Sequence, residues 1–591
     1  MQNQEQPDNK LFLPQGNILS ETLLQLFRYS KLNQLYSNSR NKDYLSLINS
    51  FLDLLDLKTD IPVDDLKNIP SEGPFIIISN HPYRGIDSML LIKLLSQKRP
   101  DFKLLASHHL QAIEPIKDII IPVNTTEGNQ NKTSSFAGVR ESINYLKKGH
   151  CIGIFPTAED SKHWDSGKII LDNEWKTTAL KLVKLAKVPV IPVYFHGTNS
   201  RILHVMRRAT PVIPGSELPR ELINKRKRTV SIRIGTPISL KEQDEFDDIA
   251  YYGRYLRARV YSLGATLERK KMGNNRFIAR TGRQEEIVEA IPADILNEEF
   301  EKIRPHYELF TTKNYSVVCA PAQVMPKIFH EIGRLREITF RSVGEGTNKS
   351  IDIDEYDFYY YHLFIWDSDE KRIVGAYRIG KGKEIMELYG IKGFYISSLF
   401  RIRKKFSAQL SESLELGRSF VVKEYQKKAF PLFLLWKGIM FFLLGHSDYR
   451  YLIGPVSISN DLSGFSKSLI VDFIKNYFFD NDMSKMIVPK KNFRIKRDKV
   501  KDREILIDSS EKDINKIEKI IIDIEPGYRI PILLKKYLEI NGRIVGFNVD
   551  PKFNNCLDGL LILDLYSVPV EFIQGLAREM NDPAIIERFR K

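Results

Sequence analysis

The sequence has few cysteines and does not open on an apolar segment. Three cysteines occur among its 591 residues, and they lie far apart at Cys151, Cys319 and Cys556. This spacing argues against a disulfide framework and against a zinc site, and it favours a reducing compartment. The opening residues, Met1 to Asp8, are polar, so we expect no secretory signal at this position.

Long apolar runs are also missing. The most apolar stretch, residues 429–445, is interrupted by Lys437 and falls short of the roughly 18–20 apolar residues that cross a bilayer. It therefore predicts a buried core helix, with a membrane-facing helix as the alternative. The chain also lacks the marks of a nucleic-acid-binding fold, such as a zinc finger or paired ribonucleoprotein aromatics, so we expect no nucleic acid partner.

Basic residues are in excess. The chain has 89 Lys and Arg against 74 Asp and Glu, a net charge of +15, and its pI is near 9.3. This balance suits an anionic partner, either anionic lipid headgroups or an acidic carrier protein. Arg254, Arg257 and Tyr261 recur at helical spacing, which predicts a basic amphipathic helix able to lie on an anionic membrane.

The composition and length predict several packed domains. Hydrophobic residues make up 42% of the chain, enough for packed cores, and 591 residues predict two to four domains. Strands and helices alternate between residues 75 and 237, which predicts an α/β sheet covered by helices. Residues 1–60 are predicted to be helical cover for this sheet. Residues 285–312 are highly charged and punctuated by Pro292 and Pro305, so we expect a linker there.

A β-branched run at residues 75–79 leads into a loop with His81 and Asp87, and a helix pattern follows. Asp87 is expected near the helix N-terminus, where the dipole favours a carboxylate. There it can orient His81, which can take a proton from an attacking hydroxyl. The alternative is a capping Asp beside an exposed loop His.

Two further strand patterns, like the one at residues 75–79, lie next to polar motif residues. Residues 151–161 end a strand in a polar turn, and residues 188–200 contain another buried strand. The order of these motifs resembles the glycerol-phosphate and lysophospholipid acyltransferase family, and is most similar to its hemolysin-like branch and to ornithine lipid synthases. The matching residues are Asn80, His81, Pro82, Gly85, Asp87, Phe155, Pro156, Ser161 and residues 194–200.

The resemblance implies roles for these residues. His81 would be the general base on the acceptor hydroxyl and Asp87 its partner, and Glu159 matches the acidic position of the second motif. Substrate binding is implied at Arg84, Gly85, Phe155, Pro156, Thr157 and Ser161. The sequence departs from the family where Arg84 replaces a common Gly and where residues 157–160 lack one. For Glu159, an exposed loop carboxylate is the alternative.

The second half predicts a helix at residues 324–340, a hairpin at 359–379, a strand at 413–422 and an apolar helix from Pro431. This order resembles an acetyltransferase-like N-acyltransferase, and is most similar to the ornithine lipid N-acyltransferases, which are related to autoinducer synthases. The matching residues are 356–357, 362–363, 374–378, 415–419, 435–439 and 452–457, with 530–538, Asp550, Phe553 and Asp564 near the end.

The strand at residues 413–422 carries the candidate chemistry of this half. Backbone N–H groups around Gly417 can polarise a thioester carbonyl. Glu415 is a candidate base or amine anchor, and Arg418 can bind a carboxylate. The alternative for each is a salt bridge on a strand face. Residues 426–429 lack the glycine of a coenzyme A loop, which favours an acyl-carrier-protein donor.

The pattern of strands and helices predicts an α/β protein, and the two resemblances together imply a bifunctional lipid-biosynthetic acyltransferase. The expected parts are a helical segment (1–60), a glycerol-phosphate-acyltransferase-like O-acyltransferase domain (61–284), a linker (285–312) and an acetyltransferase-like α+β N-acyltransferase domain (313–591). The resemblance implies N-acylation of an amino acid of the ornithine or glycine type and O-acylation of the resulting lyso-lipid.

The resemblance also implies the acyl donors and the location of the protein. We expect acyl-carrier-protein or acyl-CoA thioesters as substrates, and neither a metal nor another cofactor. The expected location is cytoplasmic, peripheral on the inner face of the cell membrane. The alternatives are a lysophospholipid acyltransferase with a regulatory C-terminal half and a non-catalytic membrane-surface scaffold.

Overall fold

A computed structural model provides the structure of the chain. It describes residues 43–54, 56–82, 85–123, 132–157, 164–165, 170–171, 175–196, 229–267, 284–428, 430–495, 502–580 and 583–588. The chain divides into two compact units. The first comprises described residues within 1–272, 498–511 and 522–526, and the second comprises those within 273–497, 512–521 and 527–591.

The first half of the chain forms strands and helices in alternation, as the sequence predicts. The strands are β1 (Lys58–Asp60), β2 (Phe75–Ser79), β3 (Lys103–Ser107), β4 (Ile120–Val123), β5 (Cys151–Ile154), β6 (Trp164–Asp165), β7 (Ile170–Leu171), β8 (Val190–His196) and β9 (Thr229–Ile234). The helices are α1 (Tyr44–Leu54), α2 (Val63–Leu66), α3 (Ile86–Ser96), α4 (Lys132–Lys147), α5 (Thr177–Ala186), α6 (Leu240–Asp244) and α7 (Ile249–Ser262).

Seven of these strands form one sheet in the order β1-β9-β8-β2-β5-β3-β4. All its pairs are parallel except β8 with β9. β2 is buried along its whole length, as expected for a central strand covered on both faces. Since β2 and β5 are parallel neighbours, the loops that leave their carboxyl ends lie at the same edge of the sheet.

Buried arginines tie the first unit to segments that occur late in the sequence. Arg259 lies 2.6 Å from the Asp523 carboxylate. Arg233 pairs with Asp65 at 2.7 Å and donates to the backbone carbonyl of Asp523. Both arginines are almost fully buried. A buried charge must be paired to be tolerated, so residues near 523 are part of the first unit's core.

The helix that we expected to lie on a membrane, α7, is instead mostly buried. Arg257 is 3% exposed and pairs with Asp502, which also accepts from Arg254 at 2.8 Å. Tyr261 is also buried. The prediction of a basic membrane-facing helix was therefore wrong, because the arginines that recur at helical spacing are neutralised inside the unit.

The rest of the chain contains the second sheet. Its strands are β10 (Glu308–Thr312), β11 (Tyr315–Pro321), β12 (Tyr361–Asp367), β13 (Arg372–Lys381), β14 (Phe400–Ile402), β15 (Ser413–Val421), β16 (Tyr451–Ile458), β17 (Ile487–Pro489), β18 (Arg543–Asp550) and β19 (Cys556–Asp564). Its helices are α8 (Ala293–Tyr307), α9 (Pro326–Ser342), α10 (Gly382–Tyr389), α11 (Ile396–Leu399), α12 (Ser407–Ser411), α13 (Phe430–Leu444), α14 (Gly464–Tyr477), α15 (Asn481–Ser484), α16 (Arg503–Asp508), α17 (Ile514–Ile524), α18 (Ile532–Glu539), α19 (Val570–Met580) and α20 (Ala584–Arg588).

Eight of these ten strands form the second sheet, in the order β10-β11-β12-β13-β15-β16-β19-β18, and β14 and β17 pair separately. Neighbours are antiparallel except β15 and β16. The parallel pair is short, running from Ser413 opposite Tyr451 to Glu415 opposite Ile453. Beyond this point, within these described strands, the two are no longer paired, so the sheet opens between them.

The apolar run at residues 429–445 contains helix α13, which packs on the sheet. A side chain built on Gly438 would meet Val317 and Leu363 at less than 3 Å, so the helix lies in close contact with β11 and β12. Leu435 and Ile439 are fully buried. Within the part of the chain that the structure describes, no helix is long and apolar enough to cross a membrane.

Residues 285–312 do not form the expected linker. They contain α8, which buries Leu296, Phe300 and Ile303, and the edge strand β10, which pairs with β11. The prediction rested on the charged and proline residues of this segment, but Pro292 is the N-cap of α8, and Glu298, Glu301 and Lys302 lie on the exposed side of this amphipathic helix. Pro305 falls in the last turn of α8 without ending it earlier.

Replacing Asp523 with alanine should strongly destabilise the first unit. The change leaves Arg259 buried without its 2.6 Å partner, and breaking a buried pair costs about 3–5 kcal/mol. Denaturant unfolding of the full chain, with hydrogen exchange in the first unit as the readout, measures this loss of stability. Asp508→Ala, at an exposed position in the same late segment, is the matched control. Equal stability of the two variants would contradict the assigned role of Asp523.

Candidate functional site

In the first unit, His81 and Asp87 meet at the carboxyl edge of the sheet. His81 follows β2, and its Nδ1 lies 2.9 Å from the Asp87 carboxylate. The ring N–H is not aligned with the carboxylate as a full hydrogen bond requires, and catalytic contacts often tighten only when substrate binds. Asp87 is fully buried, so its charge acts on the imidazole with little screening by water.

The backbone around Gly85 holds the Asp87 carboxylate in place. Its Oδ1 accepts from the backbone N–H groups of Gly85, at 2.9 Å, and Ser88, at 3.0 Å. Gly85 precedes α3 with φ 143°, a conformation that residues with a Cβ rarely adopt. The sequence prediction of a carboxylate at this helix start therefore matches the observed geometry.

Two neighbours fix the position of His81. Its ring stacks on Phe155 with centroids 4.3 Å apart, which brings the loops after β2 and β5 together. The Asn80 side chain donates to the Phe195 carbonyl at 3.0 Å and accepts from the Phe195 N–H at 2.8 Å. The motif at residues 80–87 predicted no role for Asn80, and the structure shows that this residue joins the end of β2 to β8.

The remaining predicted residues of this site divide into two groups. Pro156 and Thr157 follow β5, where Pro156 accepts a backbone hydrogen bond from Lys176 and Thr157 bridges Trp175. Arg84, Glu159 and Ser161 lie outside the described residues, so their predicted roles stay predictions.

A His–Asp pair of this kind can act as a general base. Since Nδ1 faces the carboxylate, Nε2 is the nitrogen that takes a proton from an acceptor hydroxyl. Asp87 stabilises the imidazolium that forms. The arrangement therefore suits transfer of an acyl group to an alcohol.

In the second unit, the gap between β15 and β16 forms a cavity of about 480 Å³. A Cβ on Gly454 would lie 2.1 Å from the Leu416 carbonyl oxygen, so only glycine fits where the strands begin to separate. Gly417, just beyond, faces open space. The apolar part of the wall includes Phe420, Leu452, Val456, Tyr537 and Leu561. A cavity of this size and lining can hold the thioester end of an acyl chain.

The other part of the cavity wall is charged. Arg418, Tyr395, Glu345, Asp550 and Asp558 contribute to it. Arg418 has φ 52° in a bulge of β15, where the register with β13 shifts. Because this bulge breaks the alternation of side chains, strand periodicity could not place Arg418 on the correct face.

The Arg418 guanidinium belongs to a buried ionic network. Nη2 donates to Asp354 at 3.1 Å, while Nε lies 3.5 Å from Asp352 without an aligned hydrogen bond. Its plane packs over Phe553, 4.2 Å from the ring centroid. Arg378, also buried, pairs with Asp354 at 2.6 Å. The network holds Arg418 in the cavity wall as a fixed cation.

Asp357 is the most deeply buried acid of this network. Burial pushes the pKa of Asp357 upward, but the charges of Arg336 and Arg378 outweigh it and hold that pKa well below its usual range. Burial lowers the pKa of the neighbouring His362 to about 4. We infer that Asp357 is ionised and His362 neutral at physiological pH.

Glu415, the predicted base, does not line the cavity. Its carboxylate accepts from the Tyr360 hydroxyl at 2.5 Å and from the backbone N–H groups of Tyr395 and Ile396. These three bonds join β15 to Tyr360, just before β12, and to the start of α11. The geometry thus favours a structural role for Glu415 rather than contact with an amine.

Sequence analysis missed the acidic residues of the cavity. Asp558 lies in an apolar stretch of β19, and a carboxylate inside such a strand is a signal that could have found it. Asp550 was quoted as part of a resemblance without a role. Glu345 follows α9 and carried no visible pattern.

Comparisons with known proteins agree with this two-site description. Residues 60–196 match the family described as Acyltransferase, and residues 335–436 match the family described as Acetyltransferase (GNAT) domain. A glycine N(alpha)-acyltransferase of Phocaeicola vulgatus is 32% identical over 269 residues, which cover 44% of this chain and 81% of that protein. The chain belongs to the family of this glycine N(alpha)-acyltransferase. It is therefore an acyltransferase, and the predicted order of its two acyltransferase domains is confirmed.

Two further similarities concern acylation. A lyso-glycine lipid O-acyltransferase of Phocaeicola vulgatus is 26% identical over 248 residues, which cover 41% of this chain and 86% of that protein. The crystal structure of a 1-acyl-sn-glycerophosphate (LPA) acyltransferase from Thermotoga maritima is 18% identical and covers 44% of this chain and 88% of that chain, with a TM-score of 0.24.

Replacing Glu415 with glutamine should reduce the pH dependence of stability. Burial raises the pKa of Glu415 to about 7, whereas the unfolded carboxyl titrates near 4.5. The folded state therefore holds an extra proton between these values, and stability falls as pH rises through this window. The total loss is roughly 3 kcal/mol. Glutamine cannot ionise, so the variant should lack this loss, even if lost hydrogen bonds lower its stability at every pH.

Denaturant unfolding on both sides of this pH window measures the effect. Glu412→Gln, at an exposed position on the same segment, should keep the wild-type pH dependence. If Glu415→Gln kept it as well, the buried carboxyl would not be its source.

Proposed function

We propose that this chain makes a doubly acylated amino acid lipid in two steps. The second unit joins an acyl chain to the amine of a free amino acid of the glycine or ornithine type. The first unit then transfers a second acyl chain to a hydroxyl of that product. The observation that carries this proposal is the contact of His81 with Asp87 at 2.9 Å in one unit, in a chain whose other unit holds an open cavity between parallel strands.

The O-acyl step follows from the geometry of His81. The acceptor hydroxyl gives its proton to Nε2, and its oxygen attacks the thioester carbonyl carbon. The tetrahedral intermediate then expels the thiolate, which takes the proton from the imidazolium. Asp87 stabilises the imidazolium in between, and general-base catalysis of this kind supplies about 10²–10⁴-fold.

The N-acyl step uses the separated strands. The acyl chain lies along the apolar wall, and its thioester carbonyl points to backbone N–H groups near Gly417, which β16 no longer covers. Arg418 binds the carboxylate of the amino acid, a task that suits its planar fork. The names of the relatives support this assignment, since one acylates glycine and the other a lyso-glycine lipid.

The donor and the location are part of the proposal. Residues 426–429 lack a coenzyme A glycine loop, which favours an acyl-carrier-protein thioester as donor. Basic residues would contact the acidic carrier and the anionic inner face of the cell membrane. Neither step uses a metal or a further cofactor in this proposal.

Cells that express His81→Ala should accumulate the mono-acylated amino acid lipid. Without the imidazole, the hydroxyl has no base, so the doubly acylated product should fall at least 100-fold. Mass spectrometry of lipid extracts measures both species. His150→Ala is the matched control, because His150 also contacts an aspartate, Asp101, at 3.2 Å in the same unit.

The lipid profile also separates this proposal from its main alternative. If the wild type changed only the acyl composition of glycerophospholipids, the amino acid lipid assignment would be wrong. A doubly acylated product that persists in His81→Ala would remove His81 from the mechanism.

Arg418→Lys should weaken binding of the amino acid. Lysine keeps the charge but loses the planar fork that pairs with a carboxylate, so KM for the amino acid should rise roughly ten-fold. Steady-state N-acylation by the purified chain measures this change. Arg401→Lys, at an exposed position, should leave KM as it is. An unchanged KM in Arg418→Lys would contradict the assigned contact.

A further inference from the structure

A second buried carboxylate faces the cavity, and the reaction described above does not use it. Asp558 on β19 is 3% exposed and belongs to the cavity wall. One oxygen, Oδ1, accepts from the Ser457 hydroxyl at 2.7 Å and lies 3.5 Å from the Cys556 sulfur. The second oxygen, Oδ2, receives no hydrogen bond from the part of the chain that the structure describes. A buried carboxylate can accept several, so Asp558 has unused acceptor capacity.

Other acids surround Asp558 and make its charge costly. Burial, with the nearby Asp550 and Glu345, raises the pKa of Asp558 to about 7, although Ser457 opposes this. Burial and Asp461 raise the pKa of Glu345 to about 7 as well. A cation placed among these carboxylates would relieve their repulsion.

The same cavity carries one fixed cation. Arg418 contributes to the cavity wall, and its side chain is 10% exposed. A cavity with a guanidinium and a buried, incompletely bonded carboxylate has the charge pattern of a zwitterion, carboxylate to Arg418 and ammonium to Asp558. Neither an alcohol nor a simple amine uses both groups.

We propose that Asp558 binds the α-ammonium group of the amino acid acceptor and removes its proton before the amine attacks the thioester. This inference rests on the proposed N-acylation and names a base for it. Glu415 cannot serve, since its oxygens are occupied by Tyr360, Tyr395 and Ile396.

The proton and electron balance of the step is complete. One ammonium proton moves to Asp558 Oδ2, and the nitrogen lone pair then attacks the carbonyl carbon to form the C–N bond. The C–S bond breaks, and the departing thiolate takes the second proton that the nitrogen loses. The products are the N-acyl amino acid and the free thiol, and Asp558 releases its proton to solvent.

The test is N-acylation of deuterated glycine or ornithine by the purified full chain, with 3-hydroxypalmitoyl thioesters of acyl carrier protein and of coenzyme A as donors. Asp558→Asn keeps the shape and the bond from Ser457 but cannot take a proton. It should lower kcat/KM at least 100-fold. Asp482→Asn, an exposed acid in the same unit, should match the wild type.

A pH profile separates a base from a merely structural residue. In the wild type, kcat/KM should fall on the acidic side as the Asp558 carboxylate is protonated, with a midpoint near its pKa of about 7. Asp550→Asn removes a like charge next to Asp558, so this fall in kcat/KM should move to lower pH. In Asp558→Asn, kcat/KM should not show this decrease at acidic pH.

The outcomes distinguish this inference from the function on which it rests. If the wild type makes the N-acyl amino acid and Asp558→Asn does so at the same rate, Asp558 is not the base, and the proposed function stands. If the pH at which kcat/KM falls were the same in Asp550→Asn as in the wild type, the inference would also be overturned. If the wild type acylates neither amino acid, the proposed function is wrong, and the role of Asp558, which depends on it, is wrong as well.

Discussion

Neutralisation of buried arginines is the constraint on which both units depend. A guanidinium cannot lose its proton, so each one that enters the interior needs a carboxylate or carbonyl partner at the same place. In the first unit, Arg233 donates to the Asp523 carbonyl, 290 residues later in the chain, and Arg259 pairs with the Asp523 carboxylate, 264 residues later. In the second, Arg336 and Arg378 share Asp357. Each unit is thus closed by charge pairs as well as by apolar packing.

The same constraint shapes the cavity of the second unit. Arg418 reaches its aspartates only because β15 bulges at this residue, with φ 52°. A bulge adds twist and interrupts pairing, and the parallel contact with β16 ends just before it, at Glu415. Gly454 lies where β15 and β16 begin to separate, and because it has no Cβ it can pack against the Leu416 carbonyl oxygen. The ionic network, the bulge and the opening between the strands are therefore parts of one arrangement.

Sequence reasoning predicted what depends on local pattern and missed what depends on distant partners. The loop of His81 and Asp87 follows from a strand, a turn and a helix start that are adjacent in the chain, and its geometry was predicted well. Arg257 was assigned to a membrane-facing helix because its partner, Asp502, has no local signal. Glu415 was assigned as a base because its motif is visible, while the bonds that occupy its oxygens come from another segment. The family resemblance, rather than periodicity, provided the reaction class.

Under the proposed function, the chemistry of the two sites fixes the order of the two steps. A His–Asp pair activates a hydroxyl, and glycine and ornithine carry none, so the first unit has no acceptor until an acyl chain with a hydroxyl is attached. In this proposal the second unit attaches that chain at the amine, where a charged cavity can recognise the carboxylate and ammonium of the free amino acid. Once acylated, the nitrogen would be a neutral amide that no longer matches this cavity, which favours release. The hydroxyl of the attached chain would then be the acceptor for the first unit. The His81 site would therefore need to recognise only the hydroxyl that the N-acyl step supplies, while the cavity of the second unit recognises the free amino acid.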